Sequence, residues 1–88
     1  MTTEPSENGY RKVHLAELRE ALVSAWARLH EALPAEARAI EQYETNEKSQ
    51  EEIALEEGVR RQTVNRRIAR ARVFLQMQLA DFLPYQSA

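Results

Sequence analysis

Between Val59 and Leu79 the chain carries six arginines, Arg60, Arg61, Arg66, Arg67, Arg70 and Arg72, and no acidic residue. A guanidinium is a planar fork of donors that fits phosphate oxygens and the guanine edge, so arginine without lysine points to a polyanion with readable edges. The plain alternative is a solvated helix face balanced by neighbouring acids. Spacing adds to the first reading. At about 100° per residue, a helix here sets Val64, Ile68 and Leu75 on one face. The opposite face carries Gln62, Arg66, Ala69 and Val73, with Asn65 and Arg70 at its margins. Gln and Asn suit adenine, Arg suits guanine, and a small residue such as Ala69 lets the rod lie close. Gln62, Asn65 and Arg66 therefore have the chemistry to address base edges of double-stranded DNA. Arg60, Arg67, Arg70 and Arg72 are read as phosphate contacts, which supply affinity without reading sequence.

Other chemistry finds little support. His14 and His30 lie 16 residues apart in no ligand pattern. Ser6, Ser24, Ser49 and Ser87 have no nucleophile-elbow context, and Gly9 and Gly58 are too isolated to cradle a phosphate. The glutamates read as a solvated acidic face rather than paired catalytic acids. The expectation is a non-enzyme with no metal, cofactor or small-molecule substrate.

The formal net charge of -2 hides a division, because residues 36–57 hold eight Glu against Arg38 and Lys48. Local fields steer a polyanion, so the basic block counts for more than the total. There is no cysteine, which removes disulfides and thiolate metal sites and fits a reducing cytoplasm. Met1–Tyr10 is polar and unlike a signal peptide, and no run approaches the roughly 20 apolar residues that cross a bilayer. A membrane partner is not expected. With 88 residues the chain makes one domain with a thin core.

An all-α fold of four to five helices must position the basic rod. Residues 1–9 read as a flexible lead, with Pro5, Ser6, Asn8 and Gly9 as punctuation. A first helix over 10–33 repeats Leu15, Leu18, Leu22, Ala25, Leu29 and Ala32 at steps of three and four, with Trp26 and Leu33 beside them. That stripe is either the inner face of a helix packed on its own domain or a seam for self-association. Pro34 ends this helix and opens a second, to about Glu44, burying Ala37, Ile40 and Tyr43. After a polar turn at residues 45–48, Ser49 begins a third helix with a capping box closed by Glu52, and Gly58 stops it. The fourth helix starts near Arg61 or Gln62, and its pattern can continue through Leu79 and Phe82 to Pro84. The third and fourth helices thus form a helix-turn-helix within residues 34–83, followed by a tail at 84–88. Small Ala54, the turn at Gly58, and Val59, Val64 and Ile68 seal the crossing.

These residues resemble a family. Leu33-Pro34, Arg38, Ile40, Tyr43, Ser49, Glu52-Ile53-Ala54, Gly58-Val59, Thr63-Val64, Arg67-Ile68, Arg70-Ala71-Arg72 and Leu75 look like the carboxy-terminal helix-turn-helix domain, region four, of bacterial RNA polymerase sigma factors. The likeness covers about residues 33–76 and leaves the first 32 residues and the last 12 unmatched. It implies a four-helix module that reads an upstream promoter element and docks on the flap of the polymerase beta subunit. It places Arg61, Gln62, Asn65 and Arg66 at bases and Ser49 near a phosphate, as helix amino termini allow; Thr63, on the same turn, joins the phosphate contacts. The chain departs from the pattern in three ways. It has no room for the promoter-melting domain. Glu57 stands where the family has leucine, with Leu55 two residues earlier, so the first helix of the motif is either rotated or presents Leu55 to a partner. Arg60 replaces the usual Ser or Thr cap, giving up about 1 kcal/mol while adding a cation.

The expected function is a stand-alone, sequence-specific transcription regulator, a homodimer on an inverted repeat. Its interface would draw on Leu15, Leu18, Leu22, Trp26 and Leu29 of the first helix with Phe74, Met77 and Phe82 near the end of the chain. Three other readings stand beside it: a sigma-domain mimic bridging promoter DNA and RNA polymerase, a protein-interaction module using the acidic 36–57 face, and a phage DNA-packaging adaptor that forms rings.

Overall fold

A computed structural model describes the backbone of residues 3–80 and the side chains from Leu15 to Ala80. Every regular element among the described residues is helical: α1 (Thr3–Ala32), α2 (Pro34–Ile40), a π-helical turn (Glu41–Thr45), α3 (Gln50–Glu57) and α4 (Arg61–Gln78). The all-α expectation holds. Helix α1 starts earlier than the sequence pattern suggests and covers most of the stretch read as a flexible lead. Pro5 falls in its first turn, where a missing amide forfeits no intrahelical bond, so it does not bar the helix.

Among the described side chains of α1, only those of its last turns are embedded. Ala25 and Leu29 are buried and Trp26 is partly covered, whereas Leu15 and Leu22 are exposed and Leu18 is half-buried. The two readings of the leucine stripe thus divide along the helix. Its carboxy-terminal turns pack on the chain's own domain, and the stretch from Leu15 to Val23 presents apolar groups to solvent. Leu29, a candidate for the partner interface, is instead sealed inside the chain's own core.

Leu33 breaks the backbone at φ -135°, ψ 70°, and Pro34 opens α2 as expected. Ala37, Ala39 and Ile40 are buried. The chain then widens by one residue per turn, with the Asn46 amide donating to the Glu41 carbonyl at 3.2 Å, and Tyr43 lies partly buried on this turn. Glu47 next adopts φ +57°, a left-handed conformation that is uncommon for a residue with a Cβ.

The capping box of α3 is complete. The Ser49 hydroxyl accepts from the Glu52 amide at 3.1 Å, and the Glu52 carboxylate accepts from the Ser49 amide at 2.9 Å. Gly58 closes the helix at φ +69°, and the Val59 amide returns to the Ala54 carbonyl at 3.0 Å. No atom lies within 4 Å of where a Gly58 Cβ would stand, so the backbone torsion, not crowding, asks for glycine.

One core joins these pieces: Leu29, Ala37, Ala39, Ile40, Ile53, Ala54, Val64, Ile68 and Ala71, with Trp26, Leu33, Tyr43, Val59, Phe74 and Leu75 packed around it. Ala54 sits where α3 crosses α4, and a larger side chain would separate the helices. Trp26 and Phe74, both interface candidates, lie partly covered against this core. Helix α4 ends at Gln78, whose carboxamide oxygen accepts from Arg28 of α1 at 2.8 Å, and Leu79 is buried. The expected continuation through Phe82 to Pro84, and the part assigned to Phe82, fall outside the described residues.

Candidate nucleic-acid interface

Helix α3, the tight turn at Gly58 and Val59, and the 18-residue α4 make the helix-turn-helix. Val64, Ile68 and Ala71 of α4 are buried against the core and Leu75 is partly covered. That fixes the helix about its own axis. The opposite side, Gln62, Asn65, Arg66, Ala69 and Val73, is exposed along its length, so no described part of the chain covers the face expected to meet DNA.

The arginines divide sharply. Arg61 lies 3.4 Å from Glu51, Arg67 is 3.8 Å from Glu57, Arg70 is 3.6 Å from Glu36, and Arg72 is 2.6 Å from Glu44. Arg60 and Arg66 are the α4-region arginines without an acidic partner among the described residues. The acidic segment 36–57 therefore folds against the basic helix and neutralises much of it pair by pair, and the two halves of the chain's charge do not stand apart as the sequence suggests. Most of these pairs are solvated, hence worth less than about 1 kcal/mol each and exchangeable for phosphate.

Phosphate roles expected from sequence meet this geometry unevenly. Arg60 and Arg70 are exposed, and Arg70 lines a notch of about 250 Å³ with Thr63, Arg66, Arg67, Ala35 and Glu36. Thr63 is half-buried there. Arg67 is largely covered and turned to Glu57, while Arg72 lies against Glu44 with its guanidinium 5.9 Å above the Tyr43 ring. The reason is angular: positions 67 and 72 fall on the flanks of α4 nearer the core than the outer face. Ser49 is occupied as a cap with Glu51 and Glu52 beside it, which weakens the case for a phosphate at that helix end.

Glu57 settles one of the departures noted in the sequence. It lies 3.8 Å from both Arg38 of α2 and Arg67 of α4, so a half-buried carboxylate between two guanidiniums replaces an apolar contact. Helix α3 is not rotated, because Ile53 and Ala54 remain the buried pair, and Leu55 is left 83% exposed.

Two features escaped the sequence pattern. Gln50 lines a polar notch with Arg61, Gln62 and Asn65, bringing the start of α3 to the residues expected to meet bases. Below Arg66, Ala69, Val73, Phe74 and Met77 join Leu33 in an apolar groove of about 400 Å³. The first needed the crossing geometry to be known. The second was half visible as a run of apolar residues off the Val64 face. No helix among the described residues is long and apolar enough to cross a membrane, and no cluster of potential metal ligands occurs among them.

The sequence matches the family described as Sigma-70, region 4, over residues 24–75, more than half of the chain. This begins earlier than the likeness read from the motif residues, because the last turns of α1, with Ala25 and Leu29 buried, belong to the packed domain. Comparison with curated proteins and with solved structures gives no match. With a crossing sealed at Ala54 and Val64, an outward face of Gln62, Asn65 and Arg66, and this match, the chain belongs to the sigma-70 region 4 family of DNA-binding helix-turn-helix domains.

Proposed function

We propose that the protein is a sequence-specific transcription regulator that inserts the amino-terminal half of α4 into the major groove of duplex DNA. The observation that carries this reading is the exposed Gln62–Asn65–Arg66 face, held outward by the buried Val64 and Ile68. Arg61, Gln62, Asn65 and Arg66 address bases, and Arg60, Thr63 and Arg70 address phosphates, with Arg67 and Arg72 as secondary cations that must first leave Glu57 and Glu44.

The active form is a homodimer on an inverted repeat. Two apolar surfaces support it: Leu15, Leu18 and Leu22 of α1, and the groove around Val73 and Met77. Distance supports it too. From the middle of the reading residues to the midpoint of Val73 and Met77 is 11 helical residues, or about 16 Å. Two α4 helices meeting antiparallel there would set their reading ends about 33 Å apart, close to the roughly 34 Å of one DNA turn.

Selection of genomic fragments by the purified protein, followed by footprinting and sedimentation, tests the proposal. A symmetric footprint with dimer mass is the expected result; retention of no fragment would overturn it. A second reading has one observation in its favour. Leu55 on α3 is an uncovered apolar handle, suited to a protein partner such as RNA polymerase. DNA retention that depends on added polymerase, with a monomer in solution, would select that bridging role instead.

A further inference from the structure

The four arginine–glutamate contacts along α4 are not alike. Arg67 and Arg70 come nearest to their carboxylates through Nη1, and Arg72 donates to Glu44 through Nη2. Arg61 meets Glu51 through Nε, at 3.4 Å. A carboxylate that comes nearest to Nε leaves the two terminal nitrogens farther from it, and those two form the fork that fits guanine O6 and N7. Both side chains are 65% exposed, so the free end of Arg61 is open to a ligand.

The backbone that carries Glu51 is well fixed. Glu51 is the second residue of α3, whose first turn is pinned by the reciprocal Ser49–Glu52 bonds at 3.1 and 2.9 Å. Arg61 opens α4 and shares a notch with Gln50, Gln62 and Asn65. An unrestrained arginine loses rotamer freedom when it is immobilised, and a carboxylate that already narrows its rotamers reduces that loss on binding. The same carboxylate repels the DNA backbone. It therefore weakens contact with any sequence while favouring the one base pair that rewards an oriented fork.

We propose that Glu51 is a specificity-determining residue, a positioning group whose carboxylate, nearest the Nε of Arg61, orients that side chain so that its terminal nitrogens read one base pair. This rests on the DNA-reading function proposed above. Arg66 has no such brace among the described residues and reads its base as a free arm. Both arginines then read bases, Arg61 from an oriented side chain and Arg66 from a free one.

The test compares wild-type protein, Glu51→Gln, Glu51→Asp and Arg61→Ala by selection from a randomised duplex library and by titration on unselected DNA. Thermal unfolding is followed alongside; exposed Glu51 predicts unchanged melting. Glu51→Gln should bind unselected DNA equally or more tightly, yet lose about fivefold or more of the preference at the base pair whose preference Arg61→Ala abolishes. Glu51→Asp should keep part of that preference. Four results would overturn the inference: Glu51→Gln keeping full preference where Arg61→Ala loses it; no change in either variant; a loss in Glu51→Gln at a different base pair, which would make Glu51 a reader of cytosine; or Glu51→Gln melting earlier and losing all binding. Wild-type protein that retains no duplex would sink the DNA-reading function itself, a distinct outcome visible before any variant is made.

Discussion

The Arg70 guanidinium stands 3.6 Å from the Glu36 carboxylate, yet Arg70 is 66% exposed and Glu36 only 13%. A mostly covered acid thus leans against an open cation at the edge of the notch that Thr63, Arg66 and Arg67 share. Converting Glu36 to Gln removes the acid without changing its shape and releases Arg70 toward phosphate. Binding to unrelated duplexes should tighten several-fold at low salt, with little change in sequence preference. Fluorescence anisotropy across a salt series measures this; weaker binding would show that Glu36 holds Arg70 in its working position.

Arg66 has the opposite situation, being exposed with no acidic partner among the described residues. Arg66→Ala should cost about 1–3 kcal/mol on the preferred site and relax the preference at one base pair. Arg70→Ala should instead weaken all sequences alike and flatten the dependence of affinity on salt. The pair separates reading from holding in one set of titrations.

At the start of α4, Arg60 takes the cap position at φ -77°, ψ 153° and makes no side-chain bond to the helix. Arg60→Ser should therefore raise stability by about 1 kcal/mol in urea unfolding. The same change removes a free cation and should lower affinity for DNA of any sequence. Stability and binding move in opposite directions, so one variant checks both parts of the assignment.

Along α1, Leu29 is fully buried and Leu22 is exposed, seven residues apart on one stripe. Leu29→Ala should cost about 2–5 kcal/mol at any protein concentration. Leu22→Ala should cost little in dilute solution and more as concentration rises, because in the proposed dimer its burial depends on a second copy. Thermal melts over a hundredfold concentration range distinguish the two; a concentration-independent cost for Leu22 would remove that leucine from the dimer interface.

Much of this was legible without coordinates, and for identifiable reasons. The capping box at Ser49 and Glu52, the stop at Gly58 and the proline opening of α2 are local rules. The period of Val64, Ile68, Ala71 and Leu75 fixed which side of α4 faces inward, and with it the outward side. Pairing was not legible. That Glu36, Glu44, Glu51 and Glu57 would each find an arginine of α4 depends on how two segments cross, and no spacing within either segment encodes it. The leucine stripe likewise could not reveal where along α1 coverage stops, because its repeat is the same above and below Ala25.

Position 58 asks for handedness rather than smallness. Its torsion belongs to the mirror-image residue, and open space surrounds the place where a methyl group would go. At 88 residues the chain is within reach of total chemical synthesis, and D-alanine at that site would suit the left-handed torsion that an L residue resists. It would also remove conformational freedom from the unfolded chain, tightening the elbow that aims α4 while leaving each side chain on its outer face untouched.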